Sequence, residues 1–188
     1  MKLTPTLCHS RHPRPNAARC NSWWAVLVFA LLMVLAAHAA SAACARPTNT
    51  AKTQLEFLEV LNDYRKSQRL RRLTISSTLT KIAQKYACEL AGAAHFSHVG
   101  PDGSTLSRRA RQGRYTYCTI YENLGFGQNS VSAALRAWIA SPSHHTALIA
   151  RDVVEIGFGL AYGPEPGQRR TSRSQKRTYW VLVLARPC

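Results

Sequence analysis

Apolar side chains are spaced along this chain in three ways, and each spacing predicts a different kind of segment. Residues 23–37 are apolar without interruption. Leu55, Leu58, Leu61 and Tyr64 instead recur three apart, the stripe of an amphipathic helix, and Thr53-Gln54-Leu55-Glu56 has the capping-box pattern T-x-x-E. A helix is therefore predicted over residues 53–67. A second is predicted over residues 77–92, capped from residues 76–78, with Leu79, Ile82, Ala83, Tyr86, Ala87 and Leu90 on its inner face. The basic run of residues 69–72 between them reads as a solvated connection. Pro101 and Gly103 mark a turn, and Ser104 stands where it can cap a short helix ending at Gly113. Residues 115–127 read as extended. Ser130 can cap a third main helix carrying Val131, Ala134, Leu135 and Trp138, which Ser141-Pro142-Ser143 stops. Two β-rich runs, residues 153–162 and 178–186, flank a polar basic loop (163–177) and predict an antiparallel hairpin. Helices first, then strands separated by a further helix, predict an α+β or layered α/β/α domain.

The uninterrupted run has a different meaning. Lys2, Arg11, Arg14 and Arg19, with no acidic residue, precede it, and Ala39-Ala40-Ser41-Ala42-Ala43 follows. Basic, then apolar, then small is the order of a secretory signal peptide. Its fifteen residues fall short of the ~20 that a membrane-spanning helix needs. Residues 1–43 are therefore expected to be a signal peptide, residues 44–52 a linker and residues 53–188 one domain of a secreted or periplasmic protein. A retained membrane anchor, or a lipid-modified Cys44 directly after Ser41-Ala42-Ala43, are the alternative forms.

Export changes how the cysteines read. Beyond the leader stand Cys44, Cys88, Cys118 and Cys188, an even set allowing three pairings, none at the C-x-x-C spacing of zinc or redox motifs. Disulfides suit an oxidising compartment. The favoured pairing is Cys88–Cys118, with Cys44–Cys188 tying the ends; a buried thiol at Cys88 is the alternative.

The 188 residues carry 25 Lys and Arg against 9 Asp and Glu, a net charge of +16, of which residues 44–188 keep +12. Such a charge favours anionic partners or surfaces. Nucleic acid is not expected among them, because export, disulfides and the absence of an aromatic–basic platform argue against it. No G-x-G-x-x-G or Walker loop follows a strand, so a doubly wound nucleotide fold is not expected. No G-x-S-x-G elbow supports Ser97 or Ser141 as a nucleophile.

By residue type, His98, Glu122 and His144 are the candidates for chemistry. Two imidazoles and a carboxylate brought together can hold a divalent metal such as zinc or act as an acid–base pair. Their spacing carries no helical signal. His95 and His145 read as peripheral, Asp102 as a turn residue, Glu155 as a hydrogen-bonding strand residue, and Trp138 and Trp180 as core.

The strings His95-Phe96-Ser97-His98-Val99-Gly100-Pro101-Asp102-Gly103-Ser104, Glu122-Asn123-Leu124-Gly125-Phe126-Gly127, Trp138-Ile139-Ala140-Ser141-Pro142-Ser143-His144, Glu155-Ile156-Gly157-Phe158-Gly159 and Tyr179-Trp180-Val181 stand in the order seen in one family. Over roughly residues 54–186 the chain resembles the CAP superfamily of cysteine-rich secretory, antigen 5 and pathogenesis-related 1 proteins (the SCP domain), and most closely its bacterial secreted members. The resemblance implies a three-layer α-β-α sandwich with a central antiparallel sheet and a cleft of two His and two acids. His98, Glu122 and His144 match three of these, while Ser141 stands where the second acid would be. His145 and Ala147 also depart from the bacterial pattern, which has Arg and Asn there. The function implied is that of a binding module for lipid or another anionic or apolar ligand. The partner would be an envelope or wall surface, and the protein a monomer. No cofactor is required, and a divalent metal on His98 and His144 is optional. A metal-assisted, peptidase-like hydrolase in the same cleft is the alternative.

Overall fold

A computed structural model describes residues 44–169 and 176–188. The expected leader, residues 1–43, and residues 170–175 of the basic loop lie outside the described residues. Helix α1 (Thr50–Ser67) is followed by strand β1 (Thr74–Ile75), α2 (Ser77–Ala93), α3 (Leu106–Gln112), β2 (Tyr117–Phe126), α4 (Val131–Ala140), α5 (Pro142–Leu148), β3 (Glu155–Gly163) and β4 (Arg177–Pro187). The strands form one sheet in the order β1-β3-β4-β2. β3 and β4 make the expected antiparallel hairpin, and β2 pairs antiparallel to β4 along the far edge. β1 departs from the all-antiparallel expectation: its two residues pair parallel to β3. A two-residue strand is too short for any alternation to reveal it.

The pleat divides the core into two layers. Trp180, Leu182 and Leu184 of β4 pack with Phe57 and Leu61 of α1, Trp138 of α4 and Leu148 of α5. Tyr179, Val181, Val183 and Ala185 face the other way, onto Leu79, Ala83, Tyr86 and Leu90 of α2. β3 alternates the same way, with glycine on its α2 side. A Cβ at Gly157 would stand 2.1 Å from the backbone carbon of Leu79, and one at Gly159 2.3 Å from the carbonyl oxygen of Ala83. Two strand residues advance ~6.6 Å and four helix residues ~6 Å, so successive glycines on β3 meet successive turns of α2. The strand thus receives the helix backbone in direct contact.

Local chemistry sets the boundaries. Ser76 Oγ accepts from Leu79 N and Ser130 Oγ from Ala133 N, so α2 and α4 begin where their caps predict. α1 does not. It starts at Thr50, and Thr53 Oγ1 donates to Asn49 O from inside the first turn, so the T-x-x-E pattern is not used as a capping box. Residues 44–49 are not a free linker either, because Cys44 is disulfide-bonded and Ala45 O accepts from Tyr162 N. α3 is capped by Thr105, not Ser104. Pro142 ends α4 and, at the first turn of α5, opens that short helix, where proline's missing N–H costs nothing.

The disulfides are Cys44–Cys88 and Cys118–Cys188, in place of the pairing favoured from sequence. Cys88 lies on α2, whose layer the incoming chain at Cys44 reaches. Cys118, near the start of β2, lies beside the end of its partner strand β4. Strand register, which loop-length reasoning does not contain, decided the outcome.

Candidate functional site

β2 is an edge strand, and its consecutive residues Glu122 and Asn123 pair with Val183 and Leu182, which belong to opposite core layers. The dipeptide therefore reaches into both layers at once. Asn123, buried, donates from Nδ2 to His144 O at 2.9 Å and ties α5 to the strand. Glu122 turns to the layer of α2 and α3, where its side chain is 3% exposed.

Both oxygens of Glu122 are engaged there. Oε2 accepts from Arg109 Nη2 at 2.7 Å, and Oε1 is 2.9 Å from His98 Nδ1. Arg109 comes from α3, is 6% exposed, and also donates to Ser104 O at 2.7 Å and to His98 O at 3.3 Å. Its guanidinium lies 3.4 Å above the Tyr86 ring, and Tyr86 in turn donates to Ser97 O. Burial, joined by Glu122 and Glu89, pushes the Tyr86 hydroxyl up to about 12 against the opposing pull of Arg109, so it stays a neutral donor. One arginine thus pins the carboxylate that orients the His98 ring and the backbone that carries it. With Nδ1 bonded to Glu122, the His98 ring presents its other nitrogen outward on a side chain that is 59% exposed.

His144 sits on α5, in the opposite layer. Its imidazole is held below the usual histidine range, first by burial and then by the charge of His98. His98 bonds Glu122 and the His144 backbone bonds Asn123, so the two histidines attach to consecutive residues of β2. Ser141 Oγ lies 3.3 Å from Ser143 Oγ and carries no charge. His145 points elsewhere, with Nε2 2.7 Å from Tyr64 OH, and His95 Nε2 is 2.9 Å from Val99 O. Asp102 Oδ1 accepts from Ser104 N inside the Gly100–Gly103 turn, and Glu155 accepts from Tyr115 OH, so both are structural as expected. Trp138 and Trp180 are buried, each donating its indole N–H to a backbone carbonyl.

A catalytic zinc takes three protein ligands and leaves a position open for water. Among the described residues no group of three or more His, Cys, Asp or Glu side chains is placed to hold a metal. The carboxylate nearest the imidazoles is bound on both oxygens, and Ser141 cannot replace the missing acid. The donor set therefore does not fit a three-ligand centre, and two imidazoles remain.

Sequence reasoning missed Arg109, because arginine in a basic helix reads as surface charge. It missed Arg65 for the same reason. That side chain is fully buried and donates to Arg71 O, Leu148 O and Ala150 O, holding α5 against α1.

An α-β-α sandwich with the Glu122–Asn123 pair on its edge strand and a histidine from each helical layer beside it defines an SCP-type domain. The chain matches the model of the CAP family, the cysteine-rich secretory protein family, over residues 58–184, and it belongs to that family. The fold is shared with an outer surface protein of Borrelia burgdorferi, at TM-score 0.64 and 24% identity, covering 77% of this chain and 99% of that one. It is also shared with an extracellular SCP-domain protein of Bacillus anthracis, at TM-score 0.59 and 18% identity over 76% of this chain and 45% of that one. Among curated proteins, YkwD of Bacillus subtilis is 25% identical over 113 residues, which are 60% of this chain and 44% of YkwD. The chain spans only part of the curated relatives it matches, 31–60% of their length. Among the described residues no helix is long and apolar enough to cross a membrane.

Proposed function

We propose that the chain is an exported binding module whose cleft, bounded by His98, Glu122, Ser141 and His144, takes a lipid or another anionic or apolar ligand of a cell envelope or wall. One observation carries this reading. Glu122 is bound on one oxygen by Arg109 and on the other by His98, so it holds a ring in place and is not free to take a proton from water. Ser141 stands where the family's second acid would be, and a serine hydroxyl does not take over that task. Net charge supports an anionic surface as the place where the domain works. The names of its family and structural neighbours (secretory, extracellular and outer surface) accord with export. A divalent metal enters this reading only as a loosely held ion on the two imidazoles.

Sedimentation with vesicles containing an anionic phospholipid tests it. Binding is expected that falls as salt rises and drops severalfold in a His98→Ala/His144→Ala variant. Equal binding to neutral and anionic vesicles, or binding indifferent to both substitutions, would overturn it.

The alternative, a metal-assisted hydrolase, draws on the lowered His144, because an unprotonated imidazole is what a base or a ligand requires. Peptide turnover abolished by His98→Ala and His144→Ala, with a stoichiometric zinc isotherm, would favour it. Turnover that survives both substitutions would remove it.

A further inference from the structure

The two long edges of the sheet are finished differently. β3 has its outer main chain satisfied. Gln54 Nε2 donates to Phe158 O at 3.0 Å, Gln84 bonds Leu160 at both O (2.9 Å) and N (3.3 Å), and Tyr162 N donates to Ala45 O at 2.7 Å. Register fixes what β2 presents. Phe158 and Leu160 face outward and pair with Leu182 and Trp180, so those residues of β4 turn their main chain to Asn123 and Gly125 of β2. Ile120, Glu122 and Leu124 therefore point their N–H and C=O groups away from the sheet.

Leu124 O is met by Trp138 Nε1 at 2.8 Å. Among the described residues nothing meets the outward main-chain groups of Ile120 and Glu122. Glu122 shows that this edge is open. Its side chain is 3% exposed, yet the residue as a whole is partly exposed, so what water reaches there is main chain. Free edges are ordinarily guarded by lysine, by proline or by a covering element, and residues 119–124 contain neither lysine nor proline. Their one charge, Glu122, is compensated by Arg109.

Such an edge selects its occupant. The free groups recur every second residue, ~6.8 Å apart, a row that another extended main chain matches group for group. A second copy of this chain would set one strongly basic domain against another, which like charge opposes, whereas an acidic strand is drawn in. We propose that β2 is a docking edge for an extended acidic peptide segment, which adds to the four-stranded sheet through the main chain of Ile120 and Glu122. Glu122 belongs to the cleft by its side chain and to this edge by its main chain, so a docked strand runs along the wall of the cleft.

Amide exchange followed by NMR on the full chain tests this, with the capped peptide Thr-Val-Glu-Val-Glu-Val-Thr as probe. In the free protein the Ile120 and Glu122 amides are expected to exchange at least tenfold faster than those of Tyr121 and Asn123. Saturating peptide is expected to slow both at least tenfold. The same peptide with its inner amides N-methylated, or with lysine in place of glutamate, is expected to bind at least tenfold more weakly. A peptide that leaves Ile120 and Glu122 unprotected, or an N-methylated counterpart that binds equally well, would overturn the edge. Equal binding of the lysine peptide would overturn the acidic partner. Protection already present in the free protein and lost on dilution would overturn it in favour of a second copy. His98→Ala/His144→Ala, which should cost vesicle binding, is expected to keep the peptide-dependent protection, so this proposal and the cleft reading fail separately. Protection lost in that variant would place the peptide in the cleft and overturn the edge.

Discussion

Arg109 holds three acceptors and an aromatic ring from inside the domain, and Glu122 is the only acid among them. Removing one partner of a buried pair leaves the other charge without compensation, which costs about 3–5 kcal/mol. Arg109→Ala and Glu122→Ala are each expected to lower unfolding free energy by that order in urea titrations, and the double variant by much less than the sum. Additive losses would mean that the pair contributes no coupling. His144 makes a pH prediction. Its folded value lies below its unfolded one, so the unfolded chain binds the proton first as pH falls. Stability from this group is complete above the ordinary histidine value and is lost as pH drops through that value toward the folded one. His144→Gln should flatten this part of a melting-temperature profile; an unchanged slope would show that another group is responsible. His98, Glu122 and His144 were legible in the sequence because chemistry-bearing residues sit in short ordered strings. Arg109 and Arg65 were not, because only the packed layers decide which of twenty-five basic residues lose their water.

The elements were legible wherever one physical signal sufficed. Apolar spacing found α1, α2 and α4, hydroxyl caps fixed the starts of α2 and α4, and β-rich runs on either side of a polar loop found the β3–β4 hairpin. Signals with two readings misled. Thr53 and Glu56 have capping-box spacing but lie within a helix that is already running at Thr50. Pro142 both stops one helix and starts the next. The glycines of β3 carry the tightest constraint at this scale. At Gly157 and Gly159 an added methyl meets backbone of α2, which cannot rotate away. Gly159→Ala is expected to cost at least the ~1–3 kcal/mol of ordinary overpacking, read as a lowered denaturation midpoint. An unchanged midpoint would mean that helix and sheet are not in direct backbone contact.

At the scale of the whole molecule, two disulfides, a strongly basic surface and one edge-strand site make up the domain. Cys44–Cys88 spans 44 residues and Cys118–Cys188 spans 70, so each constrains the unfolded chain by roughly 4 kcal/mol in the chain-entropy model. Non-reducing peptide mapping is expected to recover these two linkages, and recovery of Cys88–Cys118 would contradict the layer assignment. Which cysteines pair was illegible because it depends on where the chain ends meet the sheet, not on how many residues separate them. The account rests on two imidazoles, delivered from opposite helical layers, sharing one cleft beside Glu122. Side-chain NMR titration of His144 in the wild type and in His98→Gln tests this directly. The predicted result is a His144 midpoint below that of a free histidine, moving upward once the neighbouring positive charge is gone. A midpoint at or above the free value, or one that does not move when His98 is replaced, would contradict the shared cleft.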